Sequence, residues 1–282
     1  MPKHVAVIAD ASASGFFFPK WHAYYAACFG AMNLYVVTYQ GLSNEFSGFK
    51  LGGLWEVPHR YADSIRAKLI SALVSALLTT HDLVVRCDVD EFLVPDPRKF
   101  ASLAEYTEQL TLPYVTARGV DIIEDPSEAA LDFQSPILRA QRKIAIRMSA
   151  INKTCITGIP LYWSEGFHGA NVPPAFDDIY LIHLKFADIK ARVVWFNHMR
   201  DSVADGGQET AYFSPDLRWM LGHRDWLLRR ERTDGWCALT SDGFDERFLS
   251  TVVRNPQNGI YAGEFFEGRT IFDIPSEFTN LL

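Results

Sequence analysis

Along the chain, short continuous apolar runs alternate with segments whose apolar positions recur every three or four residues. Val5-Ala6-Val7-Ile8-Ala9 ends in Asp10 and an Ala-Ser-Ala-Ser-Gly loop, the pattern of a strand buried on both faces. Pro19 opens a helical segment, Trp21–Ala31, because proline is tolerated in a first helical turn, and Gly30 lies near its end. Asn33–Tyr39 reads as a second buried strand and Gly53–Pro58 as a third. Residues 61–80 place Ile65, Leu69, Leu73, Ala76 and Leu77 at spacings of three and four, which predicts an amphipathic helix. The apolar run Val84-Val85 follows at once. Phe100–Leu110 reads as a helix, then Tyr114–Ile123, Arg139–Met148, Ile151–Thr157 and Ile179–Phe186 as extended segments. Ala187–Arg200 and Ser214–Arg232 read as helices in a more irregular final third.

Strand, helix, strand, strand, helix, strand is the α/β alternation of a mostly parallel sheet with right-handed crossovers. With no internal repeat and no low-complexity linker, residues 1–282 are expected to form one domain with an elaborated helical C-terminal part. Ligands of such sheets bind at the carboxyl ends of strands. Asp10 and the stretch Asp88-Val89-Asp90-Glu91 both fall at such ends, so they are expected to face one crevice. Three carboxylates beside an apolar strand are costly to bury unpaired, and a divalent cation with oxygen ligands is an economical partner. If the strand continues through the cluster, Asp88 and Asp90 point the same way and share one ion.

The charge balance narrows the partners. A net charge of -7 and a pI near 5.6 argue against a non-specific nucleic-acid binder, which needs clustered Lys and Arg. Aromatic residues make up 13% of the chain, enough to supply stacking surfaces besides the core. Cys28, Cys87, Cys155 and Cys237 lie far apart without a CxxC pair, so neither a zinc site nor a disulfide framework is indicated. The start lacks the pattern of a signal peptide, and no apolar run reaches the roughly 20 residues that span a bilayer. A cytoplasmic protein is expected. Arg224–Arg232 is a basic, partly aromatic run that would either lie peripherally on an anionic membrane or form a solvated helix face.

Asp88-Val89-Asp90-Glu91-Phe92-Leu93, behind a helix holding Lys68, resembles the D-x-D-E-F motif of bacterial family 2-like glycosyltransferases of GT-A fold. Trp21–Tyr25 with Phe29-Gly30, Pro136–Arg142, Trp163–His168 and Leu181–Lys185 are similar to further blocks of that family, in the same order, over about residues 1–190. The resemblance implies a nucleotide-sugar-binding half (1–112) and an acceptor half (113–190); residues 191–282 lie outside it and read from their own pattern as a C-terminal helical extension. The resemblance also implies a polysaccharide-biosynthetic transferase that uses Mn²⁺ or Mg²⁺ and a nucleotide-sugar donor, with a glycan or lipid-linked acceptor. Asp90 would bind the metal, Asp88 the donor ribose or the metal, and Glu91 would accept hydrogen bonds or face the acceptor.

Other residues enter on their own chemistry. His183 and Lys185 share a strand face by parity, so imidazole would complete the metal shell while the ammonium holds a phosphate; a hydrogen-bonded core histidine is the alternative. His168 precedes Gly169, which would let a donor approach closely, or it simply sits in a turn. Lys68 would reach the donor phosphate or be a solvated helix lysine. Asp10 would accept from the base or serve as a loop acid. An inverting reaction needs a general base, for which Asp121 and Glu165 are candidates and Asp178 a third. Rival classes are a metal-dependent phosphohydrolase, a nucleotidyltransferase and a non-catalytic carbohydrate-binding protein. The first is disfavoured because Glu-Phe, not a small hydroxyl residue, follows the cluster.

Overall fold

The first apolar run becomes strand β1 (Val5–Asp10), buried at every position because parallel neighbours pair with both of its edges. The computed structural model describes residues 2–11, 17–58, 61–202, 216–240 and 243–282. After β1 come α1 (Phe17–Phe29), β2 (Leu34–Tyr39), β3 (Gly53–Val57), α2 (Asp63–Leu77), β4 (Leu83–Arg86), β5 (Glu91–Pro95) and α3 (Leu103–Gln109). The second half runs β6 (Tyr114–Ile123), β7 (Ile144–Met148), β8 (Lys153–Thr157), β9 (Phe176–Phe186), α4 (Ile189–Ser202), α5 (Leu217–Leu227) and β10 (Arg232–Thr233). It ends with α6 (Gly235–Thr240), α7 (Phe244–Thr251), β11 (Val253–Arg254), β12 (Tyr261–Ala262) and β13 (Glu267–Asp273).

Eleven strands form one mixed sheet in the order β10-β13-β7-β6-β8-β4-β1-β2-β3, with β9 on the other edge of β6 and β5 outside β9. The parallel expectation holds across β4-β1-β2-β3. Beyond β4 most pairs are antiparallel, at β4–β8, β6–β8, β6–β7, β7–β13 and β5–β9, while β6–β9 and β10–β13 are parallel. Strands β7 and β8 are successive parts of one path along β6, broken by a single 3₁₀ turn at Ser149–Ile151. Gly119 faces that break: a Cβ there would meet the Met148 carbonyl oxygen at 2.4 Å, so the close approach requires glycine.

Alternation along β1 distributes the helices. Val5, Val7 and Ala9 belong to the core that takes Phe17, Phe18, Trp21 and Tyr25 of α1, whereas Ala6 and Ile8 pack with Ala67, Ile70, Val74 and Leu77 of α2. That set differs from the predicted face of α2. Ile65 is exposed and the small residues Ala67 and Ser71 are buried, so the helix is rotated relative to the pattern of its large apolar residues. The final third also departs from expectation, because β10 and β13 extend the main sheet through β7. Among the described residues, no helix is long and apolar enough to cross a membrane, and all four cysteines are free thiols.

Candidate functional site

The acidic cluster sits in a turn, not on a strand. Chain pairing ends at Arg86, and β5 begins at Glu91. The Glu91 N–H donates to the Asp88 carbonyl at 3.0 Å, while the Glu91 carboxylate accepts the Asp88 N–H at 3.0 Å. These reciprocal bonds close the turn and remove the strand parity on which a shared ion for Asp88 and Asp90 depended.

The two aspartates instead face different partners. Asp88 accepts from Arg66 and Arg86, and from Lys153 Nζ at 2.9 Å. Burial raises its pKa, but Arg66, Arg86 and Lys153 outweigh that and hold it well below the usual carboxylate range. Asp90 accepts from Arg192 Nη1 at 2.7 Å and lies 3.4 Å from His183 Nε2. His183 Nδ1 is 2.5 Å from Asp121 Oδ1. Strand register explains this convergence, since Glu91 of β5 and Asp121 of β6 both stand opposite His183 of β9. Burial lowers the His183 pKa, yet Asp121 and Asp90 more than reverse this and raise it from 6.5 to about 10.

The sign of that shift gives a prediction for the ion-free protein. The folded pKa lies above the unfolded one, so the stabilisation is fully present below about pH 6.5 and is lost as pH rises through about 10. Urea unfolding of wild type and His183→Gln should therefore differ by a few kcal/mol more at about pH 6 than at about pH 10.5. A difference independent of pH would show that the imidazolium is not held by these carboxylates.

A cavity of about 610 Å³ opens at the carboxyl ends of β1 and β4, and Asp10, Asp88, Asp90, Glu91, Asp121, Glu165, His168, His183 and Lys185 all line it. Asp10 has both oxygens engaged, by Arg66 Nε at 2.7 Å and by the Tyr39 hydroxyl at 3.2 Å, so it anchors an arginine instead of awaiting a base. Glu91 accepts from Lys153 Nζ at 2.6 Å and supports the turn; it is buried behind the acids. His183 and Lys185 do share the cavity face of β9. Glu165 is exposed at the cavity wall. His168 Nδ1 donates to the Ala150 carbonyl at 2.6 Å, which leaves Nε2 as an acceptor. Burial, with help from Lys153, lowers its pKa to about 4, so the ring is neutral. The neighbouring Gly169 makes its close approach to the Tyr261 backbone, not to a ligand space.

Two expectations are corrected. Lys68 is exposed and lies outside the cavity; the rotation of α2 gives the inward position to Arg66. Asp178 pairs with Lys99 at 2.6 Å near the surface, away from the cavity. Arg66, Arg86, Lys153 and Arg192 were missed by sequence reasoning. Phe167, inside the Trp163–His168 block, carries the guanidinium carbons of Arg86 and Arg66 at 3.1 and 4.6 Å from its ring centre, which orients both arginines.

Among the described residues, no three His, Cys, Asp or Glu side chains form a group that could hold a metal ion. The pair Asp90 and His183 does fit one side of a divalent ion, with Asp121 on the far ring nitrogen in the orienting role that metal-bound histidines usually have. Mg²⁺-type sites often take only one or two protein ligands and complete their shell with substrate phosphates and water. Asp88, held by three cations, is not part of that set. Neither protein-family models nor curated proteins give a match to this chain.

Proposed function

We propose that the protein is a glycosyltransferase, of GT-A-type architecture, that moves a sugar from a nucleoside-diphosphate-sugar to an acceptor hydroxyl. The supporting observation is the single cavity at the carboxyl ends of β1 and β4 that gathers Asp90, His183, Lys185 and Arg192 from distant parts of the chain. Its volume suits a ligand of nucleotide-sugar size. The D-x-D-E-F resemblance points the same way.

Within that function, the base lies toward Phe17 and Tyr61, which line the same end of the cavity as Asp10. Lys185 and Arg192 bind the diphosphate; Arg192 also keeps a buried Nε–H with no acceptor among the described residues, which an anionic ligand would satisfy. Eight carboxylates line the cavity against four Arg or Lys, so a diphosphate alone would meet net negative walls. That imbalance supports Mn²⁺ or Mg²⁺ at Asp90 and His183. When bound, such an ion offsets the charge that grows on the departing diphosphate. The acceptor oxygen forms a bond to the anomeric carbon as the bond from that carbon to the diphosphate breaks, and the electron pair leaves on the diphosphate. The acceptor's proton passes to a carboxylate at the cavity wall, and Glu165 is our candidate for it.

A thermal-shift series with nucleoside diphosphates and their sugar conjugates, with and without Mn²⁺, tests the proposal. At about 100 times its Kd a true ligand adds roughly 2.7 kcal/mol, which raises Tm by several degrees. Asp90→Ala should remove the Mn²⁺-dependent part. No shift with any nucleoside diphosphate, or a shift indifferent to Asp90→Ala, would overturn it; release of free phosphate from a monoester would point to a phosphohydrolase instead.

A further inference from the structure

Beside the cavity lies an open groove of about 1090 Å³ along α5, and the two share Met148, Trp219, His223, Phe265 and Glu267. On α5 the positions Trp219, His223 and Trp226 follow the helical spacing of four and three, so their rings line up on one face. Trp219 stacks on His223 at 5.2 Å and 9° between planes, and His223 on Trp226 at 5.6 Å and 28°. The Arg230 guanidinium extends the ladder, 4.3 Å from the centre of the Trp226 ring. The ladder takes no part in the core, which α5 reaches through Met220 and Leu227 on another face.

Trp219 is 54% exposed, Trp226 51% and Phe265, on the facing wall, 62%. Large flat apolar groups kept in water along an open groove, with Asp216, Arg218 and Glu267 at the edges, suit a ligand with apolar faces and polar rims. A pyranose ring has that shape: because the stacked rings turn their flanks and not a row of free planes to the groove, its C–H groups pack along the exposed indole flanks and on the Phe265 ring while its hydroxyls reach charged groups. A membrane surface fits less well, because three of the four arginines in the basic run are already paired with carboxylates. Arg224 bonds Asp225 at 2.8 Å, Arg232 bonds Asp273 at 3.0 Å, and Arg230 bonds Glu267.

We propose that the Trp219–His223–Trp226 ladder is an acceptor platform that binds a chain of pyranose rings and leads its terminal hydroxyl into the adjoining cavity. The role as acceptor rests on the transferase function proposed above, whereas oligosaccharide binding can be measured without it. Tryptophan fluorescence and saturation-transfer NMR of the whole chain with maltohexaose, cellohexaose and chitohexaose, without any nucleotide, provide the test. At least one hexasaccharide should bind. Trp219→Ala and Trp226→Ala should each weaken it by about tenfold, the scale of one lost aromatic contact, and Trp219→Phe should recover most of the loss. Trp226→Ala should leave the nucleoside-diphosphate thermal shift unchanged, which also shows that the variant is folded. If no hexasaccharide binds, or if binding survives both alanine variants, the platform falls while a persisting nucleotide shift leaves the transferase function standing. If hexasaccharides bind through the ladder and no nucleoside diphosphate does, the transferase function falls and the glycan site stands. Binding to phosphatidylglycerol vesicles that needs both tryptophans, with no sugar binding, would assign the groove to a membrane and overturn the proposal.

Discussion

Lys153→Met is expected to lower the unfolding free energy by about 3–5 kcal/mol, the usual cost of removing one partner from a buried ion pair. Lys153 lies on β8 at 4% exposure and its ammonium reaches Asp88 at 2.9 Å and Glu91 at 2.6 Å. Burial by itself lowers its pKa, but Asp88 and Glu91 reverse this, and the net shift is upward. Methionine fills nearly the same volume, so the loss comes from charge and not from a cavity. Asp88 would keep Arg66 and Arg86. Glu91, 1% exposed, has Lys153 as its only cationic partner among the described residues, and the turn it closes would be left with a buried uncompensated carboxylate. The double variant Lys153→Met with Glu91→Gln should therefore recover part of the loss. Urea unfolding of the two single variants and the double variant checks this. A loss below about 1 kcal/mol for Lys153→Met, the scale of an exposed pair, would contradict the buried placement.

The first half of the fold was legible because β1, β2 and α2 announce themselves locally, through continuous apolar runs and a three-and-four spacing. Tyr114–Ile123 appeared at its observed limits for the same reason. What failed was information carried between elements. The phase of α2 turned on Ala67 and Ser71, whose small side chains add little to an apolar pattern yet occupy the core face, and that rotation exchanged Lys68 for Arg66. The turn at Asp88–Asp90 depends on hydrogen bonds between Glu91 and Asp88, which an apolar-run pattern does not display. Lys153 and Arg192 reach the acids from residues 65 and 102 positions away from Asp88 and Asp90 respectively. Each alone reads as an ordinary strand or helix cation. Parity did carry His183 and Lys185 correctly to one face of β9, since alternation is a local property. The strand β13 was missed because its pairing partner, β7, lies more than a hundred residues earlier.

On the transferase function proposed above, Glu165→Gln should reduce turnover by about 10²–10⁴-fold, the range for loss of a general base, while nucleoside-diphosphate binding stays at the wild-type value. Asp121→Asn should behave differently. Asp121 is 2% exposed and committed to His183 Nδ1 at 2.5 Å, so its carboxylate orients and charges the imidazole instead of meeting an acceptor hydroxyl. Asparagine would keep an oxygen for the ring N–H but lose the charge. The pH dependence assigned to His183 should then weaken, and Mn²⁺-dependent donor binding should fall together with turnover. Glu165 lies in the segment held by Ser164 and His168 and is exposed at the cavity wall, where a proton can leave to water after transfer. Steady-state kinetics combined with nucleotide titration separate the two roles. Turnover lost in Asp121→Asn with donor binding intact, beside near-normal Glu165→Gln, would move the base to Asp121. Near-normal turnover in both variants would remove the carboxylate base altogether and favour a retaining displacement in which the departing diphosphate takes up the acceptor's proton.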